Sequence, residues 1–415
     1  MIATALENTK TAWLGEFPAH WEVLRIKNLF QEMDSRSETG SEELLSVSHY
    51  TGVTLKRESL ENEDDHLTNA ESLVGYKLVQ QGDLVINIML AWNGSLGISP
   101  YNGITSPAYC VYRIKGDNNP EYFGYLFTTN LFKAEFRRHS TGIIDSRLRL
   151  YSDKFFSIFT IVPPKDEQDE IVQYIKAQEE KINLFIQKKQ RFIELLKEQR
   201  LSIVNNYVTS ETKNWIWLRL KDIVTVNDEA LTEKTEDDFL IRYIDIGNVN
   251  SYGDIAEIQE YEFKDAPSRA RRIVRKGDVI ISTVRTYLKA ITLIESDEDN
   301  LIASTGFAVL RPKENVLSEY LNFALRAEYF ISSVIQNSYG VSYPAINSST
   351  LSSLKIVIPK STSEQQEIIN KIKTETATID TAIAKAEREI ELIREYKEAM
   401  IAEAVMGKRK LNFAH

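Results

Sequence analysis

Apolar residues in this chain recur in two rhythms, and each rhythm occurs twice. Short runs such as Leu84-Val85-Ile86-Asn87-Ile88 and Val279-Ile280-Ile281-Ser282-Thr283-Val284 follow Gly-Asp pairs, while Tyr109-Cys110-Val111-Tyr112 and Phe307-Ala308-Val309-Leu310 follow Ser/Thr/Gly segments. Their β-branched and aromatic content, bounded by turn formers, predicts strands. From Glu121 to Arg137 and from Glu319 to Gln336 apolar residues stand three and four apart, which predicts helices. The combination reads as α+β. Pro163-Pro164 and Pro359 close each globular part where the chain leaves a strand and opens a helix.

A longer periodicity follows each proline. Ile171, Ile175, Gln178, Ile182, Phe185, Lys189, Phe192, Leu196, Gln199 and Ile203 fall at alternating spacings of four and three. Ile368, Ile372, Glu375, Ile379, Ala382, Ala386 and Ile393 do the same, with Ile383 and Ile390 widening the stripe. A seam of about four to five heptads specifies helix against helix, with Gln178 expected near Glu375 and Lys189 opposite Ala386 as polar intrusions that select one register. A helix of about 35 residues is roughly 50 Å long, so the pair would act as a spacer of set length, a ruler.

The two rhythms belong to one duplicated unit. Trp21-Glu22-Val23-Leu24-Arg25-Ile26-Lys27-Asn28-Leu29 returns as Trp215-Ile216-Trp217-Leu218-Arg219-Leu220-Lys221-Asp222-Ile223, Gly82-Asp83 as Gly277-Asp278, Glu121-Tyr122 as Glu319-Tyr320, and Glu167-Gln168 as Glu364-Gln365. The predicted organisation is a globular domain over 1–163, a helical spacer over 164–208, a second globular domain over 209–359 and a C-terminal helical spacer over 360–415. Pairing the two helices relates the copies by a pseudo-twofold axis, which fits a ligand with two similar half-sites. Duplex DNA is the commonest such ligand.

Composition narrows the classes. The chain has 415 residues, 43% of them hydrophobic and 27% charged, with no apolar run of membrane-spanning length. Its first residues lack the pattern of a secretory signal, so the expected compartment is the cytoplasm. A single cysteine, Cys110, and five scattered histidines give no metal-ligand spacing, and no metal is expected. The net charge of −10 opposes bulk attraction to nucleic acid. Local clusters soften that objection. Lys264, Arg269, Arg271, Arg272, Arg275, Lys276, Arg285 and Lys289 stand against Asp265 and Asp278, with a lesser counterpart in Lys133, Arg137, Arg138, Arg147, Arg149 and Lys154.

Catalytic signatures are missing. Gly407-Lys408 lacks the upstream glycine of a phosphate loop, Ser106-Pro107-Ala108-Tyr109 lacks the Asn and second Pro of an adenine-holding methyltransferase element, and the second copy has no histidine to activate a serine. Trp13-Leu14-Gly15-Glu16-Phe17-Pro18-x-x-Trp21-x-x-Leu24, the Gly-Asp strands at 82 and 277, the Glu-Gln-x-x-Ile helix openings at 167 and 364, and the terminal Ala404-Val405-Met406-Gly407-Lys408 resemble the specificity subunit of type I restriction–modification enzymes. The likeness covers essentially the whole chain. It departs at Asn214-Trp215-Ile216-Trp217, which lacks the full lead-in, and at Met406, where Thr is common.

That resemblance implies two target-recognition domains, each reading one half of a bipartite double-stranded DNA site, joined by two long antiparallel helices. It implies docking of two methyltransferase subunits on the helical spacer and assembly with restriction/translocase subunits. It also implies no catalytic centre in this chain, with S-adenosylmethionine, ATP and Mg²⁺ confined to the partners. A non-enzymatic coiled-coil scaffold with duplicated adaptor domains is the alternative.

The residues expected to meet DNA follow from the Gly-centred loops that the family places at the DNA face. The segment Ser338 to Asn347 of the second copy corresponds to Ser140 to Arg149 of the first; Tyr339, Gly340, Ser342, Tyr343 and Asn347 are the candidates in one, Thr141, Gly142, Arg147 and Arg149 in the other, where Arg137 and Arg138 precede the loop. Glycine allows close backbone approach to phosphate, hydroxyls bond its oxygens, and Arg or Asn can read guanine or adenine edges. Arg285 matches a family position near DNA, and its counterpart is Leu90-Ala91-Trp92-Asn93, so the two halves are expected to read different bases. Arg269, Arg271 and Arg272, clustered beside Arg275 and Lys276, are assigned to phosphate, and Lys289 is a further DNA-binding candidate. Trp21 and Trp215 are expected in the cores.

Overall fold

The computed structural model describes residues 2–4, 11–49, 51–56, 72–144, 147–209 and 215–409. By their contacts these fall into two units, 1–187 with 389–415 and 188–388. Each unit therefore takes half of each long helix.

In the first unit an antiparallel sheet runs in the order Phe30–Met33, Tyr109–Ile114, Leu84–Asn87, Leu96–Ile98. A ribbon of Glu22–Arg25 with Phe159–Val162 adjoins the helix that follows. The second unit repeats both, as Val224–Val226, Phe307–Pro312, Val279–Ser282, Ile291–Leu293 and the ribbon of Trp215–Arg219 with Lys355–Pro359. It adds a four-stranded sheet of Gln259–Glu262, Leu240–Ile244, Leu301–Ser304 and Ala270–Ile273 with one parallel pairing. In the first unit the same region is two antiparallel pairs, Leu45–Ser48 with Gly52–Leu55 and Lys77–Val79 with Gly103–Thr105, joined by a parallel bridge between Leu44 and Ile104.

The recurrent sequence motifs are the joints of this frame. Asp83 and Asp278 are buried, cap the turns before their strands by accepting from Gln80 N at 2.8 Å and Arg275 N at 2.9 Å, and hold Arg113 and Arg311 in two-pronged ion pairs. Glu167 and Glu364 each accept from an indole N–H, of Trp21 and Trp215 respectively, at 2.9 Å. Trp21 is buried and Trp215 partly so. Gln168 and Gln365, both buried, donate to the carbonyls of Pro163 and Pro359 and accept from Asn119 N and Leu317 N, so each long helix opens already bonded to its own unit.

Each helical stretch expected as one piece is two. Pro120–Phe127 and Asn130–His139 are separated at Thr128 and Thr129, whose hydroxyls donate to the carbonyls of Tyr125 and Leu126. Thr129 also caps the second piece, so local side-chain bonds compete with the helix ladder. In the second unit Ser318–Leu325 and Glu328–Gln336 break at Ala327, where the cap comes from outside: Asn205 Oδ1 of the long helix accepts from Glu328 N at 3.0 Å.

The two long helices, Lys165–Thr209 and Thr362–Val405, have 45 and 44 residues, longer than expected. In the first unit Lys397 reaches Glu179 at 3.0 Å; in the second Arg200 bonds Asp380 at 2.7 Å and Tyr207 bonds Glu375. Arg409, just past the C-terminal helix, lies 5.2 Å over the Tyr174 ring, so in each unit rising residue numbers of one helix meet falling numbers of the other and the helices run antiparallel. Glu375 thus meets Tyr207 rather than the expected Gln178. The seam holds at Ile171, Ile175 and Ile182 and at Ile368, Ile372, Ile379 and Ala386, and is shifted by one position elsewhere. On the C-terminal helix Gln365, Ile369, Ile372, Thr376, Ile379, Ile383, Ala386, Ile390, Met400 and Ala404 are buried, with Thr376 rather than Glu375 and Ile383 rather than Ala382. On the central helix Phe185 and Phe192 point outward, 38% and 43% exposed, and the less exposed Ile186 and Ile193 take their places. Among the described residues no helix is long and apolar enough to cross a membrane.

Candidate nucleic-acid interface

In the second unit the strand Val279–Ser282 leads into a turn whose flanks, Arg285 and Lys289, adopt left-handed backbone at φ 50° and 54° around a single helical turn, Thr286–Leu288. The Gly340 loop closes over it by reciprocal bonds between Tyr339 and Ala345 of 2.8 and 2.9 Å. Ile346 N donates to Thr283 O at 2.8 Å, and the hydroxyls of Thr286 and Ser338 stand 2.9 Å apart. Arg285 Cζ lies 4.8 Å from the centroid of the Tyr343 ring, a cation–π contact. This turn and loop bring Arg285, Lys289, Tyr339, Gly340, Ser342 and Tyr343 together on one exposed platform.

The first unit builds the same platform from other residues. Leu84–Asn87 leads to the turn Ala91–Asn93, ended by Gly94 at φ 86°, the structural counterpart of Lys289. Thr141 and Arg149 exchange bonds of 2.9 and 3.0 Å to close the Gly142 loop, and Leu150 N ties it to Ile88 O at 2.9 Å. Gly142 has φ 151°, and a Cβ there would stand 2.5 Å from Arg147 O, so this loop needs glycine. The cation–π contact reappears with its elements exchanged: Arg137, from the helix before the loop, lies 5.2 Å over Trp92, from the turn. Arg147 is exposed, and Arg149 donates from Nη1 to Leu148 O.

Several expected contacts are already occupied. Arg138 forks onto the buried Glu135 at 2.7 and 2.5 Å, and that bond holds its guanidinium above its ordinary pKa. The pair leaves the Arg138 side chain 64% exposed, so a contact made there would be with a guanidinium already held by Glu135. Asn347 caps the helix Ser348–Ser353: its Oδ1 accepts from Thr350 N and from the Ser349 hydroxyl, both at 2.7 Å. Bidentate reading of an adenine would need that same oxygen beside the amide, while the exposed amide group remains open.

Arg271 and Arg272 lie on Ala270–Ile273, a strand of the second unit's additional sheet and not on the Gly-loop platform. Arg271 stacks 4.8 Å over Phe263, and burial lowers the pKa of Arg272. Three of the eight basic residues between Lys264 and Lys289 are neutralised by ion pairs. Arg275 pairs with Glu229 at 2.8 Å, Lys276 with Asp297 at 2.7 Å and Lys264 with Glu262 at 2.6 Å. These partners lie far enough along the chain, or close enough behind, that a window count of basic residues misses them.

Other exposed platform residues were not singled out from the sequence. Ile143 and Val341, immediately after the loop glycines, are 100% and 101% exposed, and Ile144 and Tyr287 are also open. Their signal was available as a repeat: Gly142-Ile143 returns as Gly340-Val341 with the same spacing that relates Glu121 to Glu319.

With this geometry in place, the similarities are specific. Residues 212–392 match the family model described as the type I restriction modification DNA specificity domain. Over 108 residues, 25% of this chain and 23% of the relative, the chain is 33% identical to the type I restriction enzyme HindI specificity subunit of Haemophilus influenzae. Over 98% of both chains it is 22% identical to the type I restriction enzyme MjaVIII specificity subunit of Methanocaldococcus jannaschii. A solved chain from work on complex assembly and conformational transition of the type I R-M system matches with a TM-score of 0.59 at 14% identity, covering 95% of this chain and 99% of that one. That last likeness concerns the fold.

Proposed function

We propose, for a chain that belongs to the type I restriction–modification specificity family, that its two units each read one half of a bipartite duplex-DNA target through their Gly-loop platforms. One observation carries the reading: the same turn-and-loop scaffold occurs in both units, closed by equivalent backbone bonds, while the side chains it displays differ. A shared scaffold with different displayed groups is what reading two different half-sites requires. Phosphate contacts would come from exposed cations such as Arg147 and Lys289, and base contacts from Arg285 and the loop side chains.

In this proposal the chain contributes no catalytic centre, and S-adenosylmethionine, ATP and Mg²⁺ act in methyltransferase and restriction subunits. The docking surface for two methyltransferase subunits is assigned to the outward face of the long helices, where Leu184, Phe185, Leu392 and Tyr396 in the first unit and Phe192 and Leu195 in the second are exposed. Glu179 is not a suitable docking probe, because it accepts from the Tyr125 hydroxyl and pairs with Lys397. The gap between half-sites is assigned to the same helices. Inserting four residues after Ile186 is expected to change the gap length or abolish modification while preserving both half-sites.

The deciding experiment exchanges residues 214–359 for the matching region of a relative and sequences the methylome of a host carrying the hybrid with its methyltransferase. One half-site should change and the other persist. A change in both halves, or none, refutes the assignment of one unit to one half-site.

A further inference from the structure

The two platforms share one exposed feature that base reading does not explain. Ile143 and Val341 have lost essentially none of their surface to the protein, and each follows the loop glycine at the tip. A single exposed aliphatic side chain is ordinary on a protein surface, but the same exposed β-branched tip at the same place in both copies points to a shared contact.

The loops are built to keep these side chains out. Gly142 at φ 151° and Gly340 at φ 115° turn the backbone in conformations that L side chains rarely adopt, and the Thr141–Arg149 and Tyr339–Ala345 bonds close each tip behind them. Folding either tip back onto its own unit would break those bonds. The neighbouring positions diverge between copies: Thr141 against Tyr339, Ile144 against Ser342, and Leu90 against Arg285. The aliphatic tip does not diverge. A residue that reads a base should change when the half-site changes, so a group common to both units points to a task independent of sequence.

Against duplex DNA an aliphatic tip has two uses. It can touch a thymine methyl, which is sequence-specific, or enter a base step as a wedge, which needs no particular base. Only the second suits a group shared by both units. Resting on the DNA-reading proposal above, we propose that Ile143 and Val341 are apolar wedges that enter the base stack of the half-site each unit holds. Opening a step there would assist the extrusion of a base that methylation requires.

The test uses the full chain assembled with its methyltransferase subunits. The probe is a duplex carrying the motif found modified in the host, with 2-aminopurine replacing one adenine at a time. Wild type should raise fluorescence at one position in each half-site, the signature of unstacking. Ile143→Ser should remove the signal in the first unit's half-site only, and Val341→Ser in the second's. Each should weaken cognate binding about tenfold with an unchanged salt slope, because no charge is lost. Ile143→Val should retain the signal.

Full wild-type affinity and fluorescence in both serine variants overturn the wedge. Weakening confined to duplexes with thymine at one position also overturns it, in favour of a methyl contact. If wild type fails to distinguish the cognate from a scrambled duplex, the DNA-reading proposal itself falls. Melting temperatures of the variants, expected to equal wild type because the tips are fully exposed, separate these outcomes from misfolding.

Discussion

Asp83 in the first unit and Asp278 in the second occupy the same turn, accept the same backbone N–H and hold the same kind of arginine, yet their surroundings differ. Arg311 has a second carboxylate, Glu229, at 3.1 Å, whereas Arg113 is held by Asp83. Around these joints the first unit packs aromatic rings, with Phe127 edge-on or tilted against Phe132, Phe136 and Phe155 at 5.2 to 5.9 Å. The second packs mainly Val, Ile and Leu around Tyr320 and Phe330. The polar joints stay constant because each must satisfy buried groups with directional bonds, while apolar filling needs only volume. Displayed residues are freer still. The arginine–aromatic stack survives with its two members supplied by different elements.

The largest effect that could break this comparison lies at the buried carboxylates. Asp83→Ala should cost about 3 kcal/mol, at the low end for breaking a buried pair because Arg113 is partly exposed, and Asp278→Ala about 1 kcal/mol less because Glu229 keeps Arg311 paired. Urea unfolding of the two variants measures this; equal losses would show that Glu229 gives no compensation.

Binding should reveal the next difference. Arg285→Ala is expected to cost about 1–3 kcal/mol and relax one base position of one half-site if the arginine forks onto guanine. If it meets phosphate, affinity should fall on every sequence and the salt slope by about one unit. Titrations on matched and single-mismatch duplexes at several salt concentrations distinguish the two, and unchanged affinity throughout removes Arg285 from the interface.

The smallest expected contrast concerns the loop glycines. A Cβ at position 142 meets Arg147 O at 2.5 Å, and one at 340 meets Tyr343 O at 3.0 Å. Gly142→Ala should therefore destabilise by about 1–3 kcal/mol and Gly340→Ala by less, both being strained by positive φ. Thermal melts that rank them in the opposite order would show that the second loop is the tighter.

Much of the frame was legible because duplication writes it twice. The Gly-Asp strands, the Trp and Glu-Gln positions and the two long helices were all placed by repeat and periodicity, although the bonds joining Trp21 to Glu167 and Gln168 to Pro163 were not. The helix seam departs from its periodicity only in part, at Phe185, Phe192, Glu375 and Ala382. Phe185-Ile186 and Phe192-Ile193 offer an apolar residue at either register, and only packing against the other helix selects the isoleucines. The platform was partly legible: its glycines and Arg285 stand out in the sequence, whereas the bonds of Arg138 to Glu135 and of Asn347 to the helix at Ser348 do not.

The sequence by itself determined the α+β class, the two-copy plan, the helical spacers and the family resemblance, since periodicity and repetition are properties of order along the chain. Tertiary structure alone decided which apolar stripe forms the seam, which cations are neutralised and which side chains stand free at the loop tips. Those outcomes depend on partners distant in sequence, such as Glu229 for Arg275 and Arg311, or Tyr343 for Arg285. A charge or an aliphatic group acquires its role from what the fold places beside it.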